Sequence, residues 1–316
     1  MNHRSLRRQG GIAIITAVAV AALVAALAAA LAFRHNIWLR QVENQQDIAQ
    51  ARGVARSAID LSRLTLQGDR RQNTYDHARE PWAIPIPDLP VERGHAGGRL
   101  RDAQGGFNLN NLINDSGVVS SGDLAAFQRL LTELNLSPDL ANALLDWQDA
   151  DSETRYPGGA EDREYLARTP AWRAANRRLF DLDELRQVQG FDDEVMKKLE
   201  PFVTVLPTQT AVNANFASTE VLLAVLPGLD RGTAQGLAQR VKTKPFESFE
   251  EMKGQLPDAA IGQAEGDRPL MNRISVETNY FYSDVDARFG RVSIAYRALL
   301  ERSSDQVPRV VWMRRR

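Results

Sequence analysis

The stretch IAIITAVAVAALVAALAAALAF, which runs from Ile12 to Phe33, carries no charge and contains neither Pro nor Gly. At a rise of about 1.5 Å per residue, a helix of this length matches a hydrocarbon core about 30 Å thick and satisfies its own backbone hydrogen bonds. Arg4, Arg7 and Arg8 precede the stretch, and positive charge there favours a cytoplasmic N-terminus. The sequence therefore predicts one N-terminal membrane span, with the rest of the chain exported.

The helical pattern continues beyond the span as an amphipathic stretch. Small and apolar side chains recur at steps of three or four residues, and polar side chains fill the other face. The pattern predicts one helix over residues 12–67, on the order of 80 Å long, with its first half in lipid and its second half against a soluble domain. Gly68-Asp69 is the predicted stop. The inward positions are Trp38, Val42, Ile48, Ala51, Ala55, Ala58, Ile59, Ser62 and Leu66.

A secretory signal that is removed after the apolar stretch is the alternative. Ala28, Ala29 and Ala30 could supply a small-x-small cleavage site. The apolar stretch is long for a signal core, however, and the helical pattern does not stop at Phe33. Both features favour a retained span.

The junction Arg8-Gln9-Gly10-Gly11 before Ile12 resembles the type III leader of type IV pilins and pseudopilins. The resemblance implies that residues 1–11 are removed by a prepilin peptidase, which cuts between Gly11 and Ile12 and methylates the new amine. Most pilins carry Glu at the fifth mature residue, which is Thr16 here. A carboxylate at that depth is costly unless it pairs with a charge. Its absence indicates a subunit that need not be drawn in against a preceding one, and it is a trait of the minor pseudopilin K family of type II secretion systems.

The composition is that of an exported globular body. The 316 residues include no Cys, so neither disulfides nor a thiol metal site can form. The formal net charge of −1 gives no general attraction to nucleic acid. Roughly 250 residues follow the long helix, which is enough for one large domain or two moderate ones.

The segment 68–106 is rich in Pro and Gly. It predicts an extended crossing with one short strand near Arg99 to Asp102. At the other end of the chain, β-branched and aromatic residues alternate in three segments, which predict strands within 273–316. These segments are Arg273–Tyr282, Arg291–Leu299 and Arg309–Trp312, with turns predicted at Ser283-Asp284 and Asp305-Gln306.

An internal repeat lies between these regions, in residues 107–272. Residues 107–112 (FNLNNL) are echoed by residues 212–217 (VNANFA), and residues 180–185 (FDLDEL) by residues 246–252 (FESFEEM). In each copy an amphipathic helix follows the first motif, breaks at a short turn and restarts. The repeat therefore predicts helical hairpins in duplicate.

Hairpins with Leu-Pro-Gly-Leu at the turn look like helix-hairpin-helix modules, which bind DNA phosphates through turn amides. Here Asp230 lies at one turn and Asp139 at the other, so like charge would face the phosphates. Packing, with no nucleic-acid partner, is the favoured interpretation, and DNA contact is the alternative.

An acidic stretch separates the two copies, and it is interrupted by Tyr156-Pro157-Gly158-Gly159. Carboxylates at this density repel one another, and Arg155 and Arg163 can neutralise only part of the charge. Oxygen donors without His or Cys favour a hard cation with about six to eight ligands, Ca²⁺, over Zn²⁺ or copper. A solvated acidic loop is the alternative. The carboxylates are Asp146, Asp149, Asp151, Glu153, Glu161, Asp162 and Glu164.

The residues from Leu145 to Tyr165, L-D-W-x-D-x-D-x-E followed by G-G-A-E-D-x-x-Y, are similar to the calcium-binding loop of the minor pseudopilin K family. With the leader and the repeat motifs in the same order, the resemblance covers nearly the whole chain. It implies an α+β fold: a pilin-like long N-terminal helix packed on a small antiparallel sheet, with a large inserted α-helical domain containing the duplicated hairpins. The implied Ca²⁺ ligands are Asp149, Asp151, Glu161 and Asp162, joined by Asp146 and Glu153.

The sequence does not favour an enzyme. His3, His35, His77 and His95 accompany no Ser or acid at recognisable catalytic spacing. Metal-assisted hydrolysis by the acidic loop is the enzymatic alternative, but carboxylates around Ca²⁺ are more often structural.

The family resemblance implies a non-enzymatic minor pseudopilin at the tip of the type II secretion pseudopilus, where it initiates assembly and limits length in the export of folded proteins across the outer membrane. It implies a single-pass protein of the bacterial inner membrane with its C-terminal domain in the periplasm. The implied partners are the minor pseudopilins I and J, the prepilin peptidase and the major pseudopilin G. A minor pilin of a type IV pilus or competence system, with DNA-contacting hairpins, is the alternative.

Overall fold

The first element of the fold is a helix of 62 residues, α1 (Gln9–Arg70). The computed structural model describes residues 9–91, 94–264, 269–303 and 306–316, so Arg4, Arg7 and Arg8 lie outside the described residues. The apolar part of α1 is long enough to cross a membrane and is exposed throughout. One N-terminal apolar helix of this kind fits a single-pass anchor.

The second half of α1 packs on a sheet of five antiparallel strands in the order β1-β2-β7-β8-β9. Two further pairs, β3 with β4 and β5 with β6, are short and parallel. The strands are β1 (Ile86–Val91), β2 (Gly94–Asp102), β3 (Phe107–Asn108), β4 (Val203–Thr204), β5 (Val212–Asn213), β6 (Ile274–Ser275), β7 (Tyr280–Phe289), β8 (Val292–Glu301) and β9 (Arg309–Arg315).

The amphipathic stripe predicted for α1 is confirmed in its second half. Ala51, Ala55, Ile59 and Leu66 are buried against the sheet. Small side chains on this face allow close approach, and the Ser62 hydroxyl lies 3.0 Å from the hydroxyl of Ser283 on β7. Towards the N-terminus the cover decreases: Val42 and Ile48 are half-buried, and Trp38 is exposed.

The helix ends later than predicted, at Arg70 instead of near Gly68. A tertiary contact holds its last turn, because the Asp69 carboxylate accepts a hydrogen bond from Arg302 Nη1 at 2.8 Å. The Asp69 carbonyl then accepts the backbone N–H of Gln72 at 2.8 Å, which closes the turn.

The predicted strand near Arg99 to Asp102 exists, but it begins at Gly94 and has a neighbour, β1, that the sequence did not predict. Pro87 and Pro90 argued against a strand because they cannot donate to a ladder. The sheet places β1 at its edge, where an absent donor can face away from the neighbouring strand.

The turn predicted at Ser283-Asp284 is wrong, because both residues lie inside β7. Asp284 is buried, a condition that raises a carboxyl pKa. Hydrogen bonds and charges from Arg297 and Arg101 overcome this effect and hold the Asp284 pKa at about 2. Polar residues that look like a turn are thus tolerated in a central strand, since arginines on neighbouring strands neutralise the carboxylate.

The other C-terminal predictions are partly right. The predicted segment Arg273–Tyr282 is not one strand, because Arg273 ends a short helix and the long strand β7 starts at Tyr280. The predicted segment Arg291–Leu299 matches β8 except for Arg291, which lies in the preceding turn, and Arg309–Trp312 lies within β9. Asp305 lies outside the described residues, and Gln306 lies between β8 and β9.

The duplicated hairpins are present in the inserted domain as α2 with α3 and α6 with α7. Asn135 (φ 54°) and Gly228 (φ 81°) take the left-handed conformation at the matching point of each turn. Asp230 accepts a hydrogen bond from Thr233 N at 3.0 Å, so an acid caps α7 where a phosphate would have to approach. The helices are α2 (Ser121–Glu133), α3 (Leu140–Gln148), α4 (Asp162–Leu166), α5 (Asp193–Leu199), α6 (Thr219–Val225), α7 (Arg231–Arg240), α8 (Phe249–Lys253), α9 (Asp258–Ala264) and α10 (Leu270–Arg273).

Buried asparagines explain why the repeat motifs match. The Asn110 amide donates to the Leu179 carbonyl and accepts from Leu179 N, both at 2.9 Å. In the second copy, Asn215 bonds Phe246 in the same two ways, at 2.9 and 2.8 Å. Each asparagine therefore ties the start of its copy to the segment that precedes a later helix.

These bonds correct the predicted register of the later echo by one residue. Leu179, not Phe180, is the counterpart of Phe246. The next residue agrees, because Phe180 N donates to the Glu184 carboxylate at 3.1 Å and Glu247 N donates to that of Glu251 at 3.0 Å. The alignment of Phe180 with Phe246 was misleading, since Phe180 is 72% exposed whereas Phe246 is buried.

We expect Asn110→Ala and Asn215→Ala each to destabilise the protein by about 1–3 kcal/mol, because each leaves a buried backbone N–H and C=O unpaired. Urea unfolding of the full-length chain in detergent measures the loss. The exposed Asn272 provides the control as Asn272→Ala. A loss no larger than that of the control would contradict the role given to the repeated asparagines.

Candidate metal centre

The acidic stretch lies between the end of α3 and the start of α4. Asp146 is in the last turn of α3, Asp149 caps its C-terminus and Glu161 caps the N-terminus of α4. The rings of Trp147 and Tyr165 pack edge-on with their centroids 5.0 Å apart, and this contact joins the two helix ends. The fold thus brings acids from both sides of the Tyr156–Gly159 turn to one place.

Asp149, Asp151 and Glu161 form the centre of this group. Each offers a carboxylate oxygen, and these oxygens lie within 4.8 Å of one another. Asp149 Oδ1 and Glu161 Oε1 are buried and have no hydrogen-bond partner among the described residues. Because buried polar atoms are nearly always paired, two unpartnered oxygens in one group of acids make this a candidate site for a cation.

The electrostatics of the group agree with this geometry. Burial, followed by the negative charges of Asp146 and Asp149, raises the pKa of Glu161 to about 7. Burial also raises the pKa of Asp149, although the charge of Arg155 opposes it. A divalent cation would relieve this conflict, because it favours the ionised form of every carboxylate around it.

The other predicted ligands have structural partners. Both oxygens of Asp146 accept from Arg155, from its backbone N at 3.0 Å and from Nη1 at 2.8 Å. Asp162 accepts from Ala174 N at 3.0 Å and from Arg173 Nη1 at 2.6 Å.

Glu153 also lies outside the central group. Its side chain is exposed, and its backbone N donates to Asp151 Oδ1 at 2.8 Å. The structure therefore brings together three of the six predicted ligands, and the other three hold or flank the loop. Ca²⁺ would need backbone or water oxygens to complete about six ligands.

A second group of acids, Asp69, Asp76 and Glu80, also has oxygens within 4.8 Å of one another. The sequence did not predict it, because the acids are spread over a helix end and a Pro-rich crossing. A cation is already there, since Arg302 Nη2 lies 2.6 Å from both oxygens of Asp76. This group is a buried ion-pair network within the fold.

The predicted leader and assembly residues lie at the other end of the molecule. Gly11 and Ile12 are exposed in the first turns of α1, which runs unbroken across the junction. The Thr16 hydroxyl donates to the Ala13 carbonyl at 3.0 Å. Its polar group is therefore satisfied inside the helix, as a lipid environment requires.

Comparisons with known proteins agree with this architecture. Two family models described as "Type II secretion system (T2SS), protein K" match residues 105–208 and 212–277. The first match contains α2, α3 and the acidic loop, and the second contains α6 and α7. Similar proteins include type II secretion system protein K of Pseudomonas aeruginosa, 32% identical over 96% of this chain and 92% of that protein. The protein of the same name from Aeromonas hydrophila is 29% identical over 98% of each chain.

A solved structure is also similar. It is a chain in the crystal structure of the GspK-GspI-GspJ complex from the type 2 secretion system of enterotoxigenic Escherichia coli. The TM-score is 0.73 at 25% sequence identity, and the match covers 87% of this chain and 99% of that chain.

We expect Gly159→Ala to destabilise the loop, because a Cβ there would overlap the Arg155 carbonyl oxygen and Asp146 Oδ2. The loss should be about 1–3 kcal/mol, as for other overpacked sites. Gly236→Ala is the control, since a Cβ at that position in α7 meets nothing within 4 Å and should stabilise the helix by about 0.5–1 kcal/mol. Unfolding in chelator measures both, and equal effects would refute the tight approach at Gly159.

Proposed function

We propose that this chain, which belongs to the type II secretion system protein K family, is the tip subunit of a type II secretion pseudopilus. It is a minor pseudopilin of type II secretion. In the proposed role it has no enzymatic activity. It initiates assembly of the pseudopilus and limits its length during the export of folded proteins across the outer membrane.

The observation that carries the tip position is the uncharged membrane span of α1. Thr16 stands where most pilins have Glu, and its hydroxyl is satisfied by Ala13. A carboxylate in lipid needs a cationic partner from a neighbouring subunit, whereas this span requires none. The size of the exported body supports the same position, because roughly 250 residues beside a packed helical shaft would hinder a subunit placed above it.

The proposed partners are the minor pseudopilins I and J, with the major pseudopilin G below them. The similar solved chain is part of a GspK-GspI-GspJ complex, which supports I and J. We propose an inner-membrane location with the body in the periplasm, because α1 has one exposed apolar segment near the N-terminus. Cleavage by prepilin peptidase between Gly11 and Ile12, with methylation of Ile12, would precede assembly.

We further propose that the acidic loop binds Ca²⁺ through Asp149, Asp151 and Glu161, as a structural ion. Asp146 and Asp162 position the loop around them, and Glu153 lies at its exposed rim. The two unpartnered buried oxygens support this proposal. When bound, the ion would join the end of α3 to the start of α4.

The tip position is tested with Thr16→Glu. We expect the new carboxylate to pair with the N-terminal amine of a neighbouring subunit, so that the variant enters the shaft or assembles poorly. Thr16→Gln, which has a similar shape without the charge, is the matched control and should remain at the tip. Immunogold labelling of purified pseudopili locates both proteins. Wild-type protein distributed evenly along the filament would contradict the proposal.

The calcium proposal is tested by chelation. An ion that binds only the folded state at a hundredfold excess over Kd stabilises by about 2.7 kcal/mol, so chelator should lower the Tm of the full-length chain by at least about 5 °C. Glu161→Gln should abolish this shift, and Glu153→Gln at the exposed rim should retain most of it. Identical melting of the wild type in chelator and in millimolar Ca²⁺ would refute calcium binding.

A further inference from the structure

The Arg155 guanidinium occupies one side of the acidic group. Its Nη1 donates to Asp146 Oδ1 at 2.8 Å and also to Asp149 Oδ2. Its Nη2 lies 3.7 Å from Asp151 Oδ2. One arginine thus contacts three of the acids that surround the proposed ion site, and its own backbone N anchors it to Asp146.

The guanidinium leaves the other side of the group open. The unpartnered oxygens are Asp149 Oδ1 and Glu161 Oε1, whereas Arg155 binds the opposite oxygen of Asp149. Asp149 therefore has one oxygen, Oδ2, bonded to a fixed cation and another, Oδ1, without a partner among the described residues. With Asp146, Asp149, Asp151 and Glu161 ionised, a single arginine leaves most of the negative charge unbalanced.

We propose that Arg155 is a built-in counter-cation: it holds the loop together when no ion is bound, and its charge weakens the binding of Ca²⁺ beside it. This inference rests on the calcium site proposed above. It explains how the exported body can fold before it meets an ion, since one fixed charge already links the end of α3 to the loop.

The direction of the effect follows from thermodynamic linkage. Arg155 contributes more stability to the ion-free protein than to the ion-bound protein, because Ca²⁺ neutralises the same carboxylates and repels the guanidinium. Any residue that stabilises the free form more than the bound form lowers the affinity. Removal of Arg155 should therefore tighten Ca²⁺ binding, although the ion-free protein becomes less stable.

An arginine that served only to position Asp149 for the ion would behave in the opposite way. Its removal would misplace a ligand and weaken binding. Removal of a counter-cation thus raises the Ca²⁺ affinity and lowers the stability of the ion-free protein. Removal of a positioning residue lowers both.

The test is calorimetric titration of Ca²⁺ into the full-length chain in detergent, with melting curves in chelator and in calcium. Arg155→Met removes the charge and keeps an unbranched side chain of similar length. We expect at least tenfold tighter binding and a larger fall in Tm in chelator than in calcium. Arg163→Met is the matched control, because Arg163 is exposed on α4 and forms no ion pair with the group among the described residues. Its affinity should change less than threefold.

Arg155→Lys covers the case in which the methionine variant does not fold. It keeps the charge, but a compact ammonium cannot bridge Asp146 and Asp149 as the forked guanidinium does. The Ca²⁺ affinity of this variant should therefore lie between those of wild type and Arg155→Met.

Equal or weaker Ca²⁺ binding by the folded Arg155 variants would overturn the counter-cation role and leave the calcium site intact. No binding by wild type or by any variant would overturn both proposals. Binding by Arg155→Met alone would support the counter-cation role and show that wild type binds too weakly for the proposed function.

Discussion

The buried ion pair between Asp76 and Arg302 holds the parts of this molecule together. Arg302 follows the last residue of β8, and it donates to both oxygens of Asp76 at 2.6 Å and to Asp69 at the end of α1. The Asp76 carbonyl in turn accepts the side-chain amides of Asn213 and Asn215 at 3.3 and 3.1 Å. The long helix, the sheet and the second repeat therefore meet at the ion pair between Asp76 and Arg302. Loss of either partner would leave an uncompensated buried charge at that junction.

The same chemistry has a different outcome in the acidic loop. Both acidic groups place three carboxylates within 4.8 Å. Arg302 lies inside the first group and bonds two of its acids, whereas Arg155 contacts the second group from one side and leaves two buried oxygens with no partner in the part of the chain that the structure describes. The two groups therefore differ in the position of the arginine: Arg302 lies among its acids, whose oxygens are not among the unpartnered ones, whereas Arg155 lies beside a group with two unpartnered oxygens.

Duplication supplies the frame in which the open site is held. The repeated asparagines Asn110 and Asn215 each close a long loop by bonding both the backbone N–H and the C=O of a distant residue, Leu179 in the first copy and Phe246 in the second. Helices α2 and α6 pack against one another at the centre of the domain. Only the first copy carries the acidic loop, at the end of its second helix, so the candidate ion site has no counterpart in the second copy. The acids in that loop repel one another, but the packed helices on either side hold them close together.

The sequence by itself determined the elements whose signal is local. The charge-free run predicted the apolar helix, the three- and four-residue spacing predicted its packed face, and the repeated motifs predicted two helical hairpins. These signals are local because residues on one face of a helix recur every three or four positions. The crowded acids also located the candidate metal site. Only the tertiary structure decided which three of the six predicted ligands converge, that β1 tolerates Pro87 and Pro90 at a sheet edge, and that Asp284 lies in a strand. In each case the deciding contact comes from outside the local segment. Arg173 pairs with Asp162 outside the central acidic group, and Arg101 and Arg297, on neighbouring strands, neutralise Asp284. Local periodicity cannot report such partners, since burial and charge compensation exist only once the chain has folded.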